Sequence, residues 1–210
     1  MALQNKISLP VVRRLPRYYR YLGELVQSGI TKVSSSELAR MMGSTASQVR
    51  QDFNCFGGFG QQGIGYNTET LYRELGELLF QNRQLSAILL GAGSLGHTVA
   101  KYIAWETQGM SLCAAFDVKP ELIGTDIDGV PVLSVEHLEE FCREHHPQVA
   151  VVCIPKAAAH QLAFRISSLG LAGIWNFSHF DFSLVNQELI VENVHLGDSM
   201  MSLEFLINHK

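Results

Sequence analysis

The chain has 210 residues, 47% of them apolar, and a formal net charge of −4 at pH 7. This length and composition can bury a substantial core, so they exclude a disordered protein and predict one large domain or two small ones. No apolar run approaches the ~20 residues of a membrane-spanning helix, and the opening MALQNKISLP lacks the apolar stretch of a signal peptide. Four scattered cysteines without a CxxC pair predict neither a zinc site nor a disulfide framework. We therefore expect a globular, cytoplasmic protein with no membrane partner and no metal.

The charge is divided unevenly along the chain. Residues 1–66 contain eight Lys or Arg against three Asp or Glu, a local charge of +5, and the remainder carries −9. A basic N-terminal region on an acidic body is typical of a phosphate-binding module joined to a different working domain. An uneven surface charge without a function is the alternative interpretation.

The first predicted element is a helix from Leu9 to Ser28, in which Pro16 is either a kink or the true start. Apolar residues at helical spacing indicate the face that packs on the core. These residues are Val12, Leu15, Tyr19, Leu22 and Val26.

Two short helices follow. Ser34 and Glu37 form a capping box that begins the second helix, which ends at Gly43. Thr45 followed by Gln48 begins the third. Short helices joined by a tight turn have the dimensions of a helix-turn-helix, whose second helix enters the major groove of DNA.

Behind the third helix comes CFGGFGQQGIGY, in which glycines alternate with aromatic and aliphatic residues. This composition predicts a β-hairpin, and a hairpin directly behind a recognition helix is a wing; a plain loop is the alternative. Asn67 to Asn82 then predicts a connecting helix, so the first domain is a winged helix-turn-helix at residues 1–82.

From Leu85 onward, short apolar runs alternate with helical segments, which predicts βα units around a parallel sheet buried on both faces. The fold class is therefore α/β, with a Rossmann-like doubly wound sheet at residues 83–196. The last segment, 197–210, is apolar nearly all round a helix, so either a second subunit of a homodimer or its own domain must cover it.

A glycine-rich turn is the strongest single motif. It directly follows the strand AILL, opens a helix, and comprises Gly91, Ala92, Gly93, Ser94, Leu95 and Gly96. In a GxGxxG turn the first glycine makes the bend, the second lets a pyrophosphate touch the backbone and the third permits close helix–strand packing. The helix N-terminus then binds the anion.

Asp117 ends the next strand about 20 residues later, where a carboxylate binds the adenosine ribose of a dinucleotide. An acid at this position favours NAD over NADP, although Lys119 lies close by. Weaker candidates follow the later strands, where open α/β sheets bind ligands, and these are Ile154, Pro155, Asn176 and Phe177.

An enzyme is not expected. A dehydrogenase needs a general acid or base and a second substrate pocket, and too few residues remain for one. The eight histidines have no obvious acid–base partner in the sequence. An NAD-dependent oxidoreductase with an incidental basic region, and a regulator that binds another nucleotide such as a coenzyme A derivative, remain the alternatives.

Several segments in this order resemble the Rex family of bacterial redox-sensing repressors over nearly the whole chain. They are RLPRYYRYL, SSSELA, QVRQDF, FGGFGQQGIGY, GAGSLG and AFDVKPELIG. The resemblance implies a homodimer that exchanges its C-terminal helices and binds palindromic operator DNA when NADH is scarce. NADH then closes the dimer and releases the DNA, so the sensed ligands are NADH and NAD+.

The resemblance also implies roles for single residues. Tyr102 matches the tyrosine near the nicotinamide that responds to its redox state. Arg20 matches an arginine that pairs with an acid of the partner chain in the DNA-bound form. That acid should fall at position 195, where this sequence has His195, and Asp198 one turn further on is the alternative.

The expected DNA contacts come from the helix-turn-helix and the wing. They are Ser44, Thr45, Ser47, Gln48, Arg50, Gln51, Gly60, Gln61 and Gln62. In the family, position 51 is often lysine and the wing tip is often basic, whereas this chain has glutamines. Because glutamine reads adenine and arginine reads guanine, we predict an operator that differs from the common Rex site and a shallower salt dependence of binding.

Overall fold

A computed structural model describes residues 7–56, 65–81, 84–106 and 109–210. The chain divides into two units, Met1–Arg83 and Gln84–Lys210. The first contains α1 (Leu9–Gln27), β1 (Lys32–Val33), α2 (Ser35–Met42), α3 (Ala46–Asn54), β2 (Tyr66–Asn67) and α4 (Thr68–Phe80). Strands β1 and β2 pair antiparallel, with Val33 opposite Tyr66. Helices α2 and α3 are the helix-turn-helix that the sequence predicts, whereas most of the predicted wing hairpin, residues 57–64, lies outside the described residues.

The predicted starts of α2 and α3 are confirmed by their caps. The Ser34 hydroxyl accepts a hydrogen bond from the Glu37 amide at 3.1 Å, and the Glu37 carboxylate accepts one from the Ser34 amide at 2.7 Å. Thr45 Oγ1 accepts a hydrogen bond from the Gln48 amide at 3.2 Å. Gly43 ends α2 in the left-handed region, at φ 63°. These local bonds fix the two helices on either side of a tight turn.

The buried face of α1 differs from the predicted one. The helix begins at Leu9 and continues through Pro16, so Pro16 is not its start. Its buried residues are Val11, Leu15, Tyr18 and Leu22, whereas Val12 is 42% exposed and Tyr19 and Val26 are only partly buried. The predicted and the observed buried faces share Leu15 and Leu22, so apolar residues at helical spacing are consistent with either face.

The second unit is built around a seven-stranded sheet. Its strands are β3 (Leu85–Leu90), β4 (Met110–Asp117), β5 (Asp126–Ile127), β6 (Val130–Ser134), β7 (Val149–Val152), β8 (Gly173–Asn176) and β9 (Ile190–Asn193). Its α-helices are α5 (Ser94–Glu106), α6 (Leu138–His145), α7 (Lys156–Ser167) and α8 (Leu196–Asn208), with short 3-10 helices at Val135–His137 and Phe182–Leu184.

The order of the strands is β5-β6-β4-β3-β7-β8-β9. All neighbours are parallel except β5 and β6, which form an antiparallel hairpin. The six parallel strands thus have the order 3-2-1-4-5-6 of a dinucleotide-binding fold. The predicted Rossmann-like class is confirmed.

Two apolar layers cover the sheet. Ile88 and Leu90 of β3 pack into one layer with residues of α6 and α7, while Ala87 and Leu89 pack into the other with residues of α5. Successive side chains of a strand point to opposite faces, so β3 is buried on both sides as its continuous apolar sequence predicts. Helix α8 contributes no buried residue in the single chain.

Candidate functional site

The first and third glycines of the turn after β3 are required by the fold. Gly91 has a φ of 95°, and a Cβ atom built on it would lie 2.8 Å from the Cys153 carbonyl oxygen. A Cβ on Gly96 would collide with the Gly91 carbonyl oxygen. Gly91 therefore makes the bend, and Gly96 allows α5 to pack closely on it.

The second glycine faces open space. A Cβ built on Gly93 has no atom within 4 Å, and α5 begins at the next residue. The first amides of a helix have no partner inside it and carry the positive end of its dipole. The surface at Gly93 and Ser94 therefore suits an anion such as a pyrophosphate.

Asp117 at the end of β4 stands beside this turn. Its Oδ2 accepts a hydrogen bond from the Ala92 amide at 2.7 Å, and its Oδ1 accepts bonds from the amides of Val118 and Lys119 at 2.8 and 2.9 Å. A carboxylate has about four acceptor positions, so one remains for a ribose hydroxyl. Asp117 thus ties the glycine turn to the end of β4.

An open cleft of about 550 Å³ lies between these two strand ends. It is lined by Ala92, Gly93, Ser94, His97, Lys119, Glu121 and Leu122. The sequence predicts the three residues of the glycine turn but misses His97, Glu121 and Leu122. The sheet topology could have predicted these three residues, because segments that follow neighbouring parallel strands meet at one edge of the sheet.

The remaining predicted nucleotide residues lie at other strand ends or on α5. Ile154 and Pro155 follow β7, Phe177 follows β8, and Tyr102 is 53% exposed on α5. None of these four residues lines the open cleft. Their contacts with a nucleotide stay predictions.

Asn176 is buried, and its amide is engaged within the sheet edge. Its nitrogen donates to the Phe180 carbonyl and to Asn193 Oδ1, both at 2.7 Å. Its oxygen accepts from the Ser178 amide at 3.0 Å and from the Ser178 hydroxyl at 2.6 Å. Four bonds fill the capacity of the amide, so Asn176 holds the segment after β8 against β9.

One face of α3 is exposed as a recognition helix requires. It presents Ser47, Arg50, Gln51 and Asn54, which lie at i, i+3, i+4 and i+7. Asn54 is not among the predicted DNA contacts, although its spacing from Arg50 and Gln51 is a sufficient signal. Arg50 Nη1 also donates to the Ser35 hydroxyl at 3.1 Å, which ties α3 to the start of α2.

The other predicted DNA contacts fall in different surroundings. Thr45 caps α3, and the Ser44 hydroxyl is buried with no hydrogen-bond partner within the described ranges. Gly60, Gln61 and Gln62 lie outside the described residues. Ser44 could therefore reach DNA only through its main chain.

A buried charge links α1 to α3. Asp52 is fully buried and accepts two hydrogen bonds from the Arg14 guanidinium, at 2.6 and 2.7 Å. It also accepts bonds from the Tyr18 hydroxyl at 2.9 Å and from Gln48 Nε2 at 2.8 Å. Burial alone raises the pKa of the carboxyl, but these four bonds outweigh it and the pKa lies below its ordinary value.

Like Tyr102, the other proposed switch residues are exposed or half-buried. The Arg20 guanidinium lies 5.1 Å from the centre of the Tyr21 ring, and Asp198 lies in the first turn of α8. His195 precedes α8, and its Nδ1 is 2.7 Å from His179 Nδ1. His179 is not among the predicted site residues, because 16 residues separate it from His195 in the sequence.

Helix α8 has more exposed large apolar side chains than any other described element. Its exposed residues are Leu196, Met200, Met201, Leu203, Phe205, Leu206 and Ile207. Its exchange between subunits stays a prediction.

Other site classes find no support in the described parts of the chain. No group of His, Cys, Asp and Glu there could hold a metal ion, and no helix there is long and apolar enough to cross a membrane. The four cysteines are free; Cys142 is buried, and Cys55 is exposed.

Two protein-family models match the chain. Residues 6–54 match the family described as "Putative DNA-binding protein N-terminus", and residues 82–180 match the family described as "CoA binding domain". The first match covers α1 to α3, and the second covers most of the Rossmann-like unit.

Curated relatives match over the full length. The chain is 45% identical over 210 residues to the redox-sensing transcriptional repressor Rex of Caldanaerobacter subterraneus, covering 100% of this chain and 93% of the relative. It is 45% identical over 206 residues to the Rex repressor of Clostridioides difficile, covering 98% of both chains.

Solved structures agree with this match. The crystal structure of RSP in complex with NAD+ and operator DNA has a TM-score of 0.87 and 44% identity, covering 97% of this chain and 93% of that one. The RSP complex with NADH has a TM-score of 0.88 and 41% identity, covering 97% and 95%. A further RSP structure, described as a Rex-family repressor, has a TM-score of 0.87. The chain therefore belongs to the Rex family of redox-sensing transcriptional repressors.

Proposed function

We propose that this protein is a homodimeric repressor that binds palindromic operator DNA and is released from it by NADH. The observation that carries the proposal is the open anion-binding surface at Gly93 beside Asp117, in a chain whose α3 also presents an exposed polar face. The related RSP has been crystallised with NAD+ and operator DNA and with NADH, which supports both halves of the proposal. Because it acts on operator DNA, the protein is expected to function in the cytoplasm.

DNA contacts come from α3 and the wing. Ser47, Arg50, Gln51 and Asn54 share the exposed face of α3, which enters the major groove. Gly60, Gln61 and Gln62, which lie outside the described residues, are the contacts that the sequence predicts for the wing. A two-fold dimer places one α3 in each half-site of a palindrome.

The nucleotide lies along the carboxyl edge of the sheet. Its pyrophosphate binds at Gly93 and Ser94, its adenosine ribose at Asp117, and its nicotinamide near Tyr102. NAD+ and NADH differ by a positive charge and by the planarity of the ring, which is the difference that Tyr102 senses. The function is therefore regulatory, and we expect no catalytic turnover of the nucleotide.

The dimer is held by α8, which lies against the partner subunit. Seven large apolar side chains of this helix are between 58% and 67% exposed in the single chain, and burial of each is favourable by about 1.5–3 kcal/mol. Asp198 in its first turn, rather than His195, is the acid that pairs with Arg20 of the other subunit. His195 is already bonded to His179, whereas the Asp198 carboxylate is exposed.

A coenzyme A derivative is the second candidate ligand. The family description that matches residues 82–180 names coenzyme A, and the helix N-terminus at Ser94 would bind either pyrophosphate. Asp117 distinguishes the two ligands, because a carboxylate suits the free ribose hydroxyls of NAD and repels the 3′-phosphate of coenzyme A.

Fluorescence anisotropy tests the proposal. A labelled palindromic DNA, selected by the purified protein from a randomised pool, is titrated with protein and then with NADH, NAD+ or coenzyme A. We expect NADH to weaken DNA binding by about 5- to 150-fold, the range of typical allosteric coupling, and NAD+ and coenzyme A to change it little. Release by coenzyme A alone would favour the second candidate, and failure to bind DNA under every condition would refute both.

A further inference from the structure

Asp52 is the only buried acidic or basic side chain among the residues that the structure describes. It lies on α3, on the side opposite the exposed recognition face, four residues after Gln48. A buried ion pair is weak evidence for stability, because the loss of hydration offsets much of the attraction between the charges. The arrangement of its hydrogen bonds points to a second role.

The four bonds use every acceptor position of the carboxylate. Oδ2 accepts from Arg14 Nε at 2.6 Å and from the Tyr18 hydroxyl at 2.9 Å. Oδ1 accepts from Arg14 Nη2 at 2.7 Å and from Gln48 Nε2 at 2.8 Å. An ionised carboxylate only accepts hydrogen bonds. The amide of Gln48 must therefore turn its nitrogen towards Asp52 and its oxygen away.

This orientation matters at the position that Gln48 occupies. Gln48 is the third residue of α3, in the first turn, where recognition helices contact base edges. Its side chain is half-buried, between the core face of the helix and the exposed face with Ser47 and Gln51. A glutamine amide whose two ends can exchange offers either a donor or an acceptor to a base, whereas a held amide offers a fixed pattern.

We propose that Asp52 is a positioning residue for base recognition, acting through Gln48. By holding Gln48 Nε2, Asp52 directs Oε1 outward as an acceptor for an exocyclic amino group, which on the major-groove edge belongs to adenine N6 or cytosine N4. The bidentate Arg14 guanidinium, bonded to both oxygens, holds the carboxylate in place from α1. This inference rests on the proposed DNA binding of the chain.

The first test needs no DNA and no change at Asp52. In the full-length, 15N-labelled protein, the side-chain NH2 of Gln48 is assigned by its loss in a Gln48→Met variant, and its hydrogen exchange is compared with that of exposed Gln51. We expect exchange at Gln48 to be slower by about tenfold or more, because one proton is bonded to a buried carboxylate. Equal exchange at the two side chains would overturn the proposal, whatever the DNA experiments give.

The second test measures base preference. We compare three variants with the wild type: Asp52→Asn, Gln48→Met and Tyr18→Phe. For each protein, affinity is measured for a set of operators in which each base pair of the half-site is substituted in turn. We expect Asp52→Asn and Gln48→Met to lose preference at the same base pair, by about fivefold or more. Tyr18→Phe removes a bond from the other carboxylate oxygen, so it should keep the wild-type pattern.

The outcomes separate orientation from stability. A merely structural role for Asp52 predicts that Asp52→Asn weakens binding to all operators equally, and this result would overturn the proposal. The same shift of preference in Tyr18→Phe would overturn it as well. If Asp52→Asn does not fold, the exchange measurement decides alone. If the wild type binds no DNA, the proposed function fails, while slow exchange at Gln48 would still establish the held amide.

Discussion

Glycines of the same turn differ in what a side chain would meet. Gly93 has open space at its Cβ position, whereas a Cβ on Gly96 would collide with the Gly91 carbonyl oxygen. Fold and ligand binding therefore place separate demands on two residues only three positions apart. The sequence motif predicts all of these glycines but does not distinguish their roles.

A Gly93→Val variant should fold normally and lose the nucleotide. The added side chain meets no protein atom within 4 Å at its Cβ, but it occupies the surface on which a pyrophosphate would lie. We expect NADH affinity, measured by calorimetry, to fall by about tenfold or more, which corresponds to about 1.4 kcal/mol. Operator binding should remain, and NADH should no longer release the DNA.

Gly96→Ala is the matched control. Its single added methyl group would collide with backbone, so it should destabilise the unit by about 1–3 kcal/mol or more and lower the melting temperature by at least several degrees. If Gly93→Val instead destabilised the fold and Gly96→Ala did not, the assignment of the two glycines would be wrong.

Gln51 tests the electrostatic part of DNA binding. It is exposed on the recognition face of α3. A Gln51→Lys variant should gain one phosphate contact and steepen the slope of log affinity against log salt by about 0.9. Anisotropy titrations between 50 and 200 mM salt, the range over which such slopes are read, measure the change.

Gln161→Lys adds the same charge to an exposed position on α7, in the other unit. It should leave the salt slope unchanged, because α7 contacts no DNA in the proposed complex. Equal steepening by both variants would mean that net charge, and not a contact of α3, governs the slope.

Among single residues, the sequence predicts those whose role is set by nearby positions in the chain. The capping box of Ser34 and Glu37 and the glycine turn are such local patterns. The pair of Asp52 with Arg14 spans 38 residues, and that of His195 with His179 spans 16, so neither leaves a periodic signal. Such pairs are brought together only by tertiary packing.

Among the elements, α1 shows why a helix can be predicted and its buried face misassigned. The predicted and observed faces share Leu15 and Leu22 and differ by one residue elsewhere. Tyr18 turns inward because its hydroxyl reaches Asp52, and Tyr19 stacks on Tyr72 of α4, with ring centres 4.4 Å apart. Both preferences come from other helices, which the spacing within α1 cannot reveal.

Strands β5, β6 and β9 are missing from the sequence analysis for different reasons. Strand β5 has two residues, and the hairpin to β6 turns at Asp128 and Gly129, both at positive φ. Asp-Gly between apolar residues is a strong hairpin signal, so this pair could have been found. Strand β9 lies at the edge of the sheet, and its apolar run, Leu189 to Val191, ends at Glu192 and is too short to predict a strand.

Helix α8 should determine the oligomeric state. A Phe205→Glu variant would place a charge where the proposed dimer buries an aromatic ring that is 60% exposed in the single chain. We expect analytical ultracentrifugation to show at least about a tenfold rise in the dimer dissociation constant, and operator affinity to fall with it.

Asn208→Glu adds the same charge at a polar position of the same helix and should leave the dimer intact. If Phe205→Glu were as dimeric as the wild type, α8 would have to be covered by its own subunit, which is the alternative that its sequence pattern leaves open.

For the whole molecule, the proposed dimer exists in a DNA-bound and an NADH-bound form, and each ligand must oppose the other by the same factor. Loss of a contact made only in the DNA-bound form therefore lowers the affinity for DNA and raises the affinity for NADH. Arg20 and Asp198 are the proposed contact, made between subunits. Both side chains are exposed in the single chain, so both can be exchanged without disturbing a core.

Reversing the charges tests this contact. Arg20→Asp and Asp198→Arg should each place like charges together, weakening operator binding by about fivefold or more and strengthening NADH binding by a similar factor. The double variant restores an opposite pair and should recover most of the operator affinity, which separates this contact from a direct contact of Arg20 with phosphate. His195→Ala should change neither affinity much. If the double variant bound DNA no better than Arg20→Asp alone, and His195→Ala weakened operator binding and strengthened NADH binding, the partner of Arg20 would be His195 instead.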